Sequence, residues 1–190
     1  WLDVAHGGDT VHLTHKPGEE DRLFDQSEAE TIIAAVRNWS GPVSVSREEK
    51  RQAPPKLNDL PTLQIRASRW GWTAKKTLDV AQALYETHKI TTYPRAENRY
   101  LPEVEIENAP AMLAGLSALG KLGVSYQTPI IRKGKAGHFS DKALDGSSHH
   151  AIVPNIKTVD DWEAIYNRLS SDEGRLFDYI ARTYLAAVGP

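Results

Sequence analysis

The sequence predicts an α+β fold, mainly helical, with two domains meeting near residue 53. Three observations carry that expectation. Alternating apolar and polar residues mark short strands before residue 50, as in Val43-Ser44-Val45-Ser46. Successive prolines at Pro54-Pro55 interrupt both helix and ladder. Beyond them, apolar residues recur at helical spacing behind capping signals. The expected domains are residues 1–53, a partial β-rich segment, and residues 54–190, a helical domain.

In the first domain, Leu2, Val4 and Val11-His12-Leu13-Thr14 read as strand. Ser27-Glu28-Ala29-Glu30 reads as a capping box opening a helix through Ile32, Ile33, Val36 and Trp39, which Gly41-Pro42 stops. Two or three short strands do not make an independently stable sheet, so this segment is expected to complete a larger one. In the second domain, Thr73 caps a helix from Ala74 to about His88, with Ala74, Leu78, Ala81, Leu84 and Tyr85 on one face. Asn108-Ala109-Pro110 starts another, running through Met112, Leu116 and Leu119 to Gly120 or Gly123. Residues 123–146 read as a basic surface connection. A helix from Asp160 to about Leu169 follows, then a second capping box, Ser170-Ser171-Asp172-Glu173. The last helix presents Leu176, Ile180, Tyr184 and Val188 on one face.

The 190 residues include no cysteine, which excludes a disulfide framework, a thiolate zinc site and a thiol nucleophile, and fits a reducing compartment. No apolar run approaches the roughly 18–20 residues of a membrane span, so neither a membrane partner nor a secretory route is expected, and the setting reads as cytoplasmic. The chain opens Trp1-Leu2-Asp3 and has Met112 as its only methionine, so it reads as a piece of a longer protein. From Thr62 to Leu101, seven basic residues face three acidic ones, a local balance of +4 that leaves −6 elsewhere in a chain of net charge −2. Such a stretch is either a phosphate-binding face or a solvated helix surface. Lys75 and Lys76 fall in a helix's first turn, where the macrodipole disfavours cations and a nearby anion would offset it.

The segment Ile90-Thr91-Thr92-Tyr93-Pro94-Arg95 carries the most chemical information. Pro94 fixes its own φ and restricts Tyr93 to extended conformations. In an extended segment, residues i and i+2 point the same way, which would set Arg95 beside the Tyr93 hydroxyl. A phenol with a guanidinium neighbour suits attack on a phosphodiester, although the same pair also occurs as a structural tyrosine beside a solvated arginine.

The line Leu63-Gln64-Ile65-Arg66-Ala67-Ser68, Gly71-Trp72-Thr73-Ala74-Lys75-Lys76-Thr77-Leu78, Ala81-Gln82-Ala83-Leu84-Tyr85-Glu86 and Ile90 to Arg95 resembles the central region of type IA DNA topoisomerases, most closely the topoisomerase III branch. Ser148-His149-His150-Ala151-Ile152-Val153-Pro154 is similar to that family's histidine motif, and Leu176-Phe177-Asp178-Tyr179-Ile180-Ala181-Arg182 resembles the helix after it. The resemblance covers roughly residues 54–190. It implies a tyrosine-bearing helical domain preceded by part of a β-rich arch domain. It makes Tyr93 the nucleophile that forms a transient 5′-phosphotyrosine with single-stranded DNA, Arg95 the cation on the scissile phosphate, and His149 an organiser of that phosphate. Arg66, Arg69, Lys75, Lys76, Arg99 and Ser148 are the DNA-binding candidates. Partners implied are single-stranded DNA and the remaining domains of a parent enzyme, acting on nucleoid or plasmid DNA. Religation would need no ATP. The family's magnesium centre is an acidic cluster in a separate N-terminal domain; no Asp-x-Asp-x-Glu run occurs here, so no metal or other cofactor is expected in this chain. Ala96-Glu97 stands where the family often has Thr-Asp.

Two other readings compete. A relaxase using His149 and His150 as metal ligands is disfavoured because adjacent side chains on an extended chain point oppositely. A non-catalytic single-strand binding module would stack bases on Trp70, Trp72 or Tyr100, with Arg66, Arg69 and Lys76 on phosphates.

Overall fold

A computed structural model describes residues 2–190 apart from 7, 14–23, 38, 43–45, 47, 51 and 125. The expected strand residues Thr14 and Val43-Ser44-Val45 lie outside the described residues. The chain divides into two units, Trp1–Lys50 and Arg51–Pro190.

In the first unit, strand β1 (Leu2–His6) pairs antiparallel with β2 (Asp9–Leu13), in a register running from Leu2↔Leu13 to His6↔Asp9. Gly8, in the connection, has φ +97°, where a side chain would be strained. Among the described residues this two-stranded sheet is the only one. Helix α1 (Gln26–Val36) corrects the first capping box: Asp25 is the N-cap, its carboxylate accepting from the Ser27 and Glu28 amides, and Ser27 lies inside the first turn. The Ser27 hydroxyl also donates to Asp25, and together these bonds hold the Asp25 carboxyl below its usual range.

The second unit is helical around one core. Helix α2 (Leu60–Ser68) has no counterpart in the sequence expectation; Asp59 caps it by accepting from the Thr62 amide, and Pro61 occupies its first turn. Helix α3 (Ala74–Gln82) starts at Thr73 as expected and continues as a π turn, Ala83–Thr87. Of its expected face, Ala81 and Leu84 are buried, Leu78 and Tyr85 are half-buried and Ala74 is exposed, while Thr77 joins the buried stripe. Thr77 tolerates burial because its hydroxyl donates to the Thr73 carbonyl one turn back, at 3.0 Å. Helix α4 (Ala109–Ala118) begins with Pro110 in its first turn and closes at Gly120, φ +65°.

The helix expected from Asp160 to Leu169 is shorter. Ile156–Asp161 forms a 3₁₀ segment in which Thr158 departs from helical dihedrals, and helix α5 spans Trp162–Tyr166. Helix α6 (Ser171–Val188) has the expected capping box, with Ser170 and Glu173 satisfying each other's backbone amides. Leu176, Ile180, Tyr184 and Val188 are buried on it, also as expected. Leu63, Leu84, Leu113, Leu116, Phe177 and Trp162 complete the centre of the core, each contributing roughly 1.5–3 kcal/mol on burial.

Residues 123–146 are more than a surface connection. Gly137, His138, Phe139 and Ser140 are buried, and Leu101 pairs across them, its amide donating to the His138 carbonyl at 2.8 Å while Ser140 N donates back to Leu101 O at 2.9 Å. Phe139 supplies the apolar surface that anchors this loop, a single residue too sparse to register as periodicity. A Cβ on Gly137 would meet the Arg132 carbonyl at 2.0 Å, so the loop's tight return requires glycine there.

Candidate active site

The π turn ends in a reversal that delivers the Tyr93 segment. His88 N donates to Ala83 O, and Ile90 N to Leu84 O, both at 3.0 Å, while Lys89 between them adopts φ +56°. This left-handed residue turns the chain back across the helix end, a place usually held by glycine. Residues Ile90 to Thr92 then run antiparallel to Ala151 to Asn155. Thr92 N donates to Val153 O at 2.9 Å, Asn155 N to Ile90 O at 2.8 Å, and Thr91 bridges Pro154. The Thr92 hydroxyl serves both ways, donating to Ala151 O and accepting from Val153 N, each at 3.0 Å.

This pairing brings the tyrosine and histidine motifs together. The Tyr93 ring stacks on His149 with centroids 4.0 Å apart and planes 29° from parallel. Tyr85, on the π turn, meets the same ring edge-on at 5.6 Å and 89°. The three rings line a cleft of about 410 Å³ together with Thr92, His150, Asn155 and Lys157. Both histidines face it, which corrects the expectation that adjacent rings point oppositely: the chain bends at Ser148 and His149 instead of extending. His150 Nδ1 lies 2.9 Å from Ala151 O.

Arg95 is exposed and does not line the cleft. Pro94 and Arg95 form a turn, so the argument that an extended backbone sets Arg95 beside the Tyr93 hydroxyl does not hold here. Ala96 is fully buried, and its carbonyl accepts from Leu60 N at 3.0 Å, joining the turn to α2.

None of the other basic candidates lines the cleft. Lys75 pairs with Asp79 at 2.6 Å and Lys76 with Asp172 at 2.7 Å. These carboxylates offset the unfavourable first-turn cations, so the placement of the two lysines no longer calls for a phosphate. Arg66 lies over the Trp70 and Tyr179 rings at 5.8 and 5.1 Å, and its Nε is buried. Arg99 Nε donates to Leu57 O at 2.9 Å. Arg69 and Ser148 are exposed. The stacking faces of the binding-module reading are occupied as well. Trp72 is buried, and Trp70 meets Trp72 edge-on at 5.2 Å and Tyr179 at 6.0 Å, with Arg175 over its ring at 4.5 Å. The Tyr100 hydroxyl donates to Lys135 O, under Lys56.

Sequence reasoning did not single out Tyr85, Thr92, Asn155 or Lys157 for the site. Tyr85 and Thr92 carry a signal in their adjacency to the tyrosine motif, whereas Lys157 follows the histidine motif with no pattern of its own. Among the described residues, no group of three or more His, Asp or Glu is arranged to hold a metal ion. No described helix is long and apolar enough to cross a membrane.

The helical unit that carries Tyr93 and its aromatic stack lies within a match to a sequence profile described as DNA topoisomerase, which covers residues 3–190, and the chain belongs to that family. Among curated relatives, the "DNA topoisomerase 3" of Vibrio cholerae is 32% identical over 174 residues, 90% of this chain and 26% of that protein. The Bacillus subtilis protein of the same name is 32% identical over 197 residues, 100% of this chain and 25% of that protein. The resemblance to the topoisomerase III branch is thus borne out. The chain spans about a quarter of the length of these relatives.

Proposed function

We propose that this chain is the nucleophile-bearing part of a type IA topoisomerase acting on single-stranded DNA. The observation that carries the reading is the stack of Tyr93 on His149 at 4.0 Å in an open cleft, two motif residues far apart in sequence and joined by the Thr92 pairing. In the reaction, the Tyr93 oxygen attacks a phosphodiester phosphorus, a phosphotyrosine bond to the 5′ side forms, and the bond to the 3′ oxygen breaks. The phenol gives up its proton and the leaving 3′ oxygen gains one. Because the new ester retains the energy of the old one, reversal religates the strand without ATP. Arg95, exposed in its turn, would swing onto the scissile phosphate, and His149 would orient the same group from the ring face.

The reading places a magnesium ion and a general acid on a separate acidic domain of a longer enzyme, working on nucleoid or plasmid DNA in the cytoplasm. Movement of the helical domain away from that partner would open a gate for strand passage, giving relaxation or decatenation. By itself the 190-residue chain should neither cleave nor relax DNA; supercoil relaxation by the purified chain would overturn that division of labour.

The decisive test replaces the matching quarter of the Bacillus subtilis relative with this chain and incubates the chimera with a 3′-labelled single strand. A labelled covalent adduct is expected, lost in Tyr93→Phe. An adduct that survives the phenylalanine substitution removes Tyr93 from the nucleophile's role.

A further inference from the structure

Among the described residues, Lys157 is the one lysine or arginine that lines the Tyr93 cleft, and nothing in the resemblance assigns it a role. Lys75, Lys76 and Lys133 are paired with carboxylates, whereas the Lys157 ammonium is exposed and has no ion-pair partner among the described residues. The cleft's single carboxylate, Glu105, accepts instead from Asn108 Nδ2 at 2.9 Å. The backbone under Lys157 is fixed on both sides. Lys157 N donates to Asn155 Oδ1 at 3.2 Å, Asn155 Nδ2 donates to Lys89 O at 2.8 Å, and Thr158 Oγ1 to the same carbonyl at 3.1 Å. An ammonium with no ion-pair partner among the described residues is therefore carried on a backbone tied down by hydrogen bonds, in the lining of the cleft that contains the phenol.

We infer that Lys157 binds a DNA phosphate at the mouth of this cleft, one adjoining the phosphate that Tyr93 attacks. The inference rests on the proposed action on single-stranded DNA. An ammonium is a strongly hydrated point charge on a flexible stem, suited to holding a neighbouring phosphate without fixing its orientation. Lys157 thus anchors the strand from the histidine side, opposite in chain order to Arg95.

The test measures fluorescence anisotropy of a labelled oligothymidylate titrated with the chain at several salt concentrations. Lys157→Gln should weaken binding about three- to tenfold and reduce the log–log salt slope by about 0.7, the value for one single-strand phosphate contact. Lys157→Arg should stay within about twofold of the unsubstituted chain, as should Lys142→Gln, which removes an exposed cation outside the cleft. Thermal melts confirm that each variant folds. If the chain binds DNA and Lys157→Gln changes neither affinity nor slope, or if Lys142→Gln weakens binding equally, this assignment is overturned while the parent reading stands. Absence of DNA binding by the unsubstituted chain overturns the Lys157 assignment, while the nucleophile reading is decided by the adduct in the chimera.

Discussion

His88 Nε2 lies 3.1 Å from Glu173 Oε1, tying the end of the π turn that leads to Tyr93 to the capping box that starts α6. Both side chains are mostly shielded, at 15% and 17% exposure. Burial pushes the Glu173 carboxyl up, but the Ser170 backbone and hydroxyl bonds and the His88 contact outweigh it and hold the carboxyl below its ordinary 4.5. A carboxyl depressed in the folded state contributes stability that is complete above its unfolded pKa and lost as pH falls through the folded one. The acid side of the stability curve below about pH 4.5 should therefore steepen through Glu173. Glu173→Gln should cost about 1 kcal/mol at neutral pH and flatten that limb in urea melts. An unchanged acid limb would contradict the assignment.

His138 acts in a different window. It is buried, with Nε2 2.9 Å from Pro55 O and Nδ1 without a partner. Nε2 must carry the proton to donate to that carbonyl, so charging the ring places a second proton on an atom with no acceptor. Burial lowers its pKa from 6.5, opposed by the Pro55 bond and assisted by Lys56 and Arg132. A histidine depressed in the folded state is protonated more readily when unfolded, so stability should decline as pH falls below about 6.5. His138→Gln, which retains a donor for Pro55 O, should remove the slope that sets in below about pH 6.5; a slope identical to the parent's would count against His138 as its source.

Thr92→Val keeps the side-chain shape but leaves Ala151 O and Val153 N without the hydroxyl that joins them. The expected loss is about 1–3 kcal/mol of unfolding free energy, with Thr92→Ser losing less than half of that. In the chimera, adduct formation should fall along with stability because the segments that carry Tyr93 and His149 lose the hydroxyl bonds that help hold them together. Full adduct yield in a destabilised Thr92→Val protein would show that the pairing serves folding alone.

Gly115 marks where α4 approaches the 3₁₀ segment before α5. A Cβ there would sit 2.3 Å from Val159 Cγ2 and 2.9 Å from Trp162 Cζ3. Gly115→Ala should destabilise by about 1–3 kcal/mol through overpacking, partly restored by a second change, Val159→Ala. Strict additivity of the two changes in chemical denaturation would rule out the direct clash.

Local signals gave the helices well. Thr73, Asn108-Ala109-Pro110 and the Ser170/Glu173 box each mark a true helix start, because side-chain caps and, at Pro110, a first-turn proline act within four residues. Asp25 shows how that logic fails: two competing acceptors stood near one helix start, and the sequence does not rank them. Helix α2 lay hidden because its buried positions, Leu63 and Ala67, give only one turn of pattern. The motifs marked Tyr93 and His149, but their stacking depends on a pairing between segments about sixty residues apart, which no local periodicity encodes. The cations fared worst for the same reason. Whether Lys75, Lys76 or Lys157 is free depends on which carboxylate folds beside it.

The pairing of Thr92 with Ala151 and Val153 also sets when the site comes into being. Its ends are separated by 59 and 61 residues, so closing that loop costs more chain entropy than any helical turn, and it is favoured only once the core between them has condensed. Tyr93 and His149 should therefore meet late in folding, after α3, α4 and the Phe139 loop have consolidated. A half-made chain would hold an unassembled phenol, and the capacity to break DNA would arrive only with a finished domain.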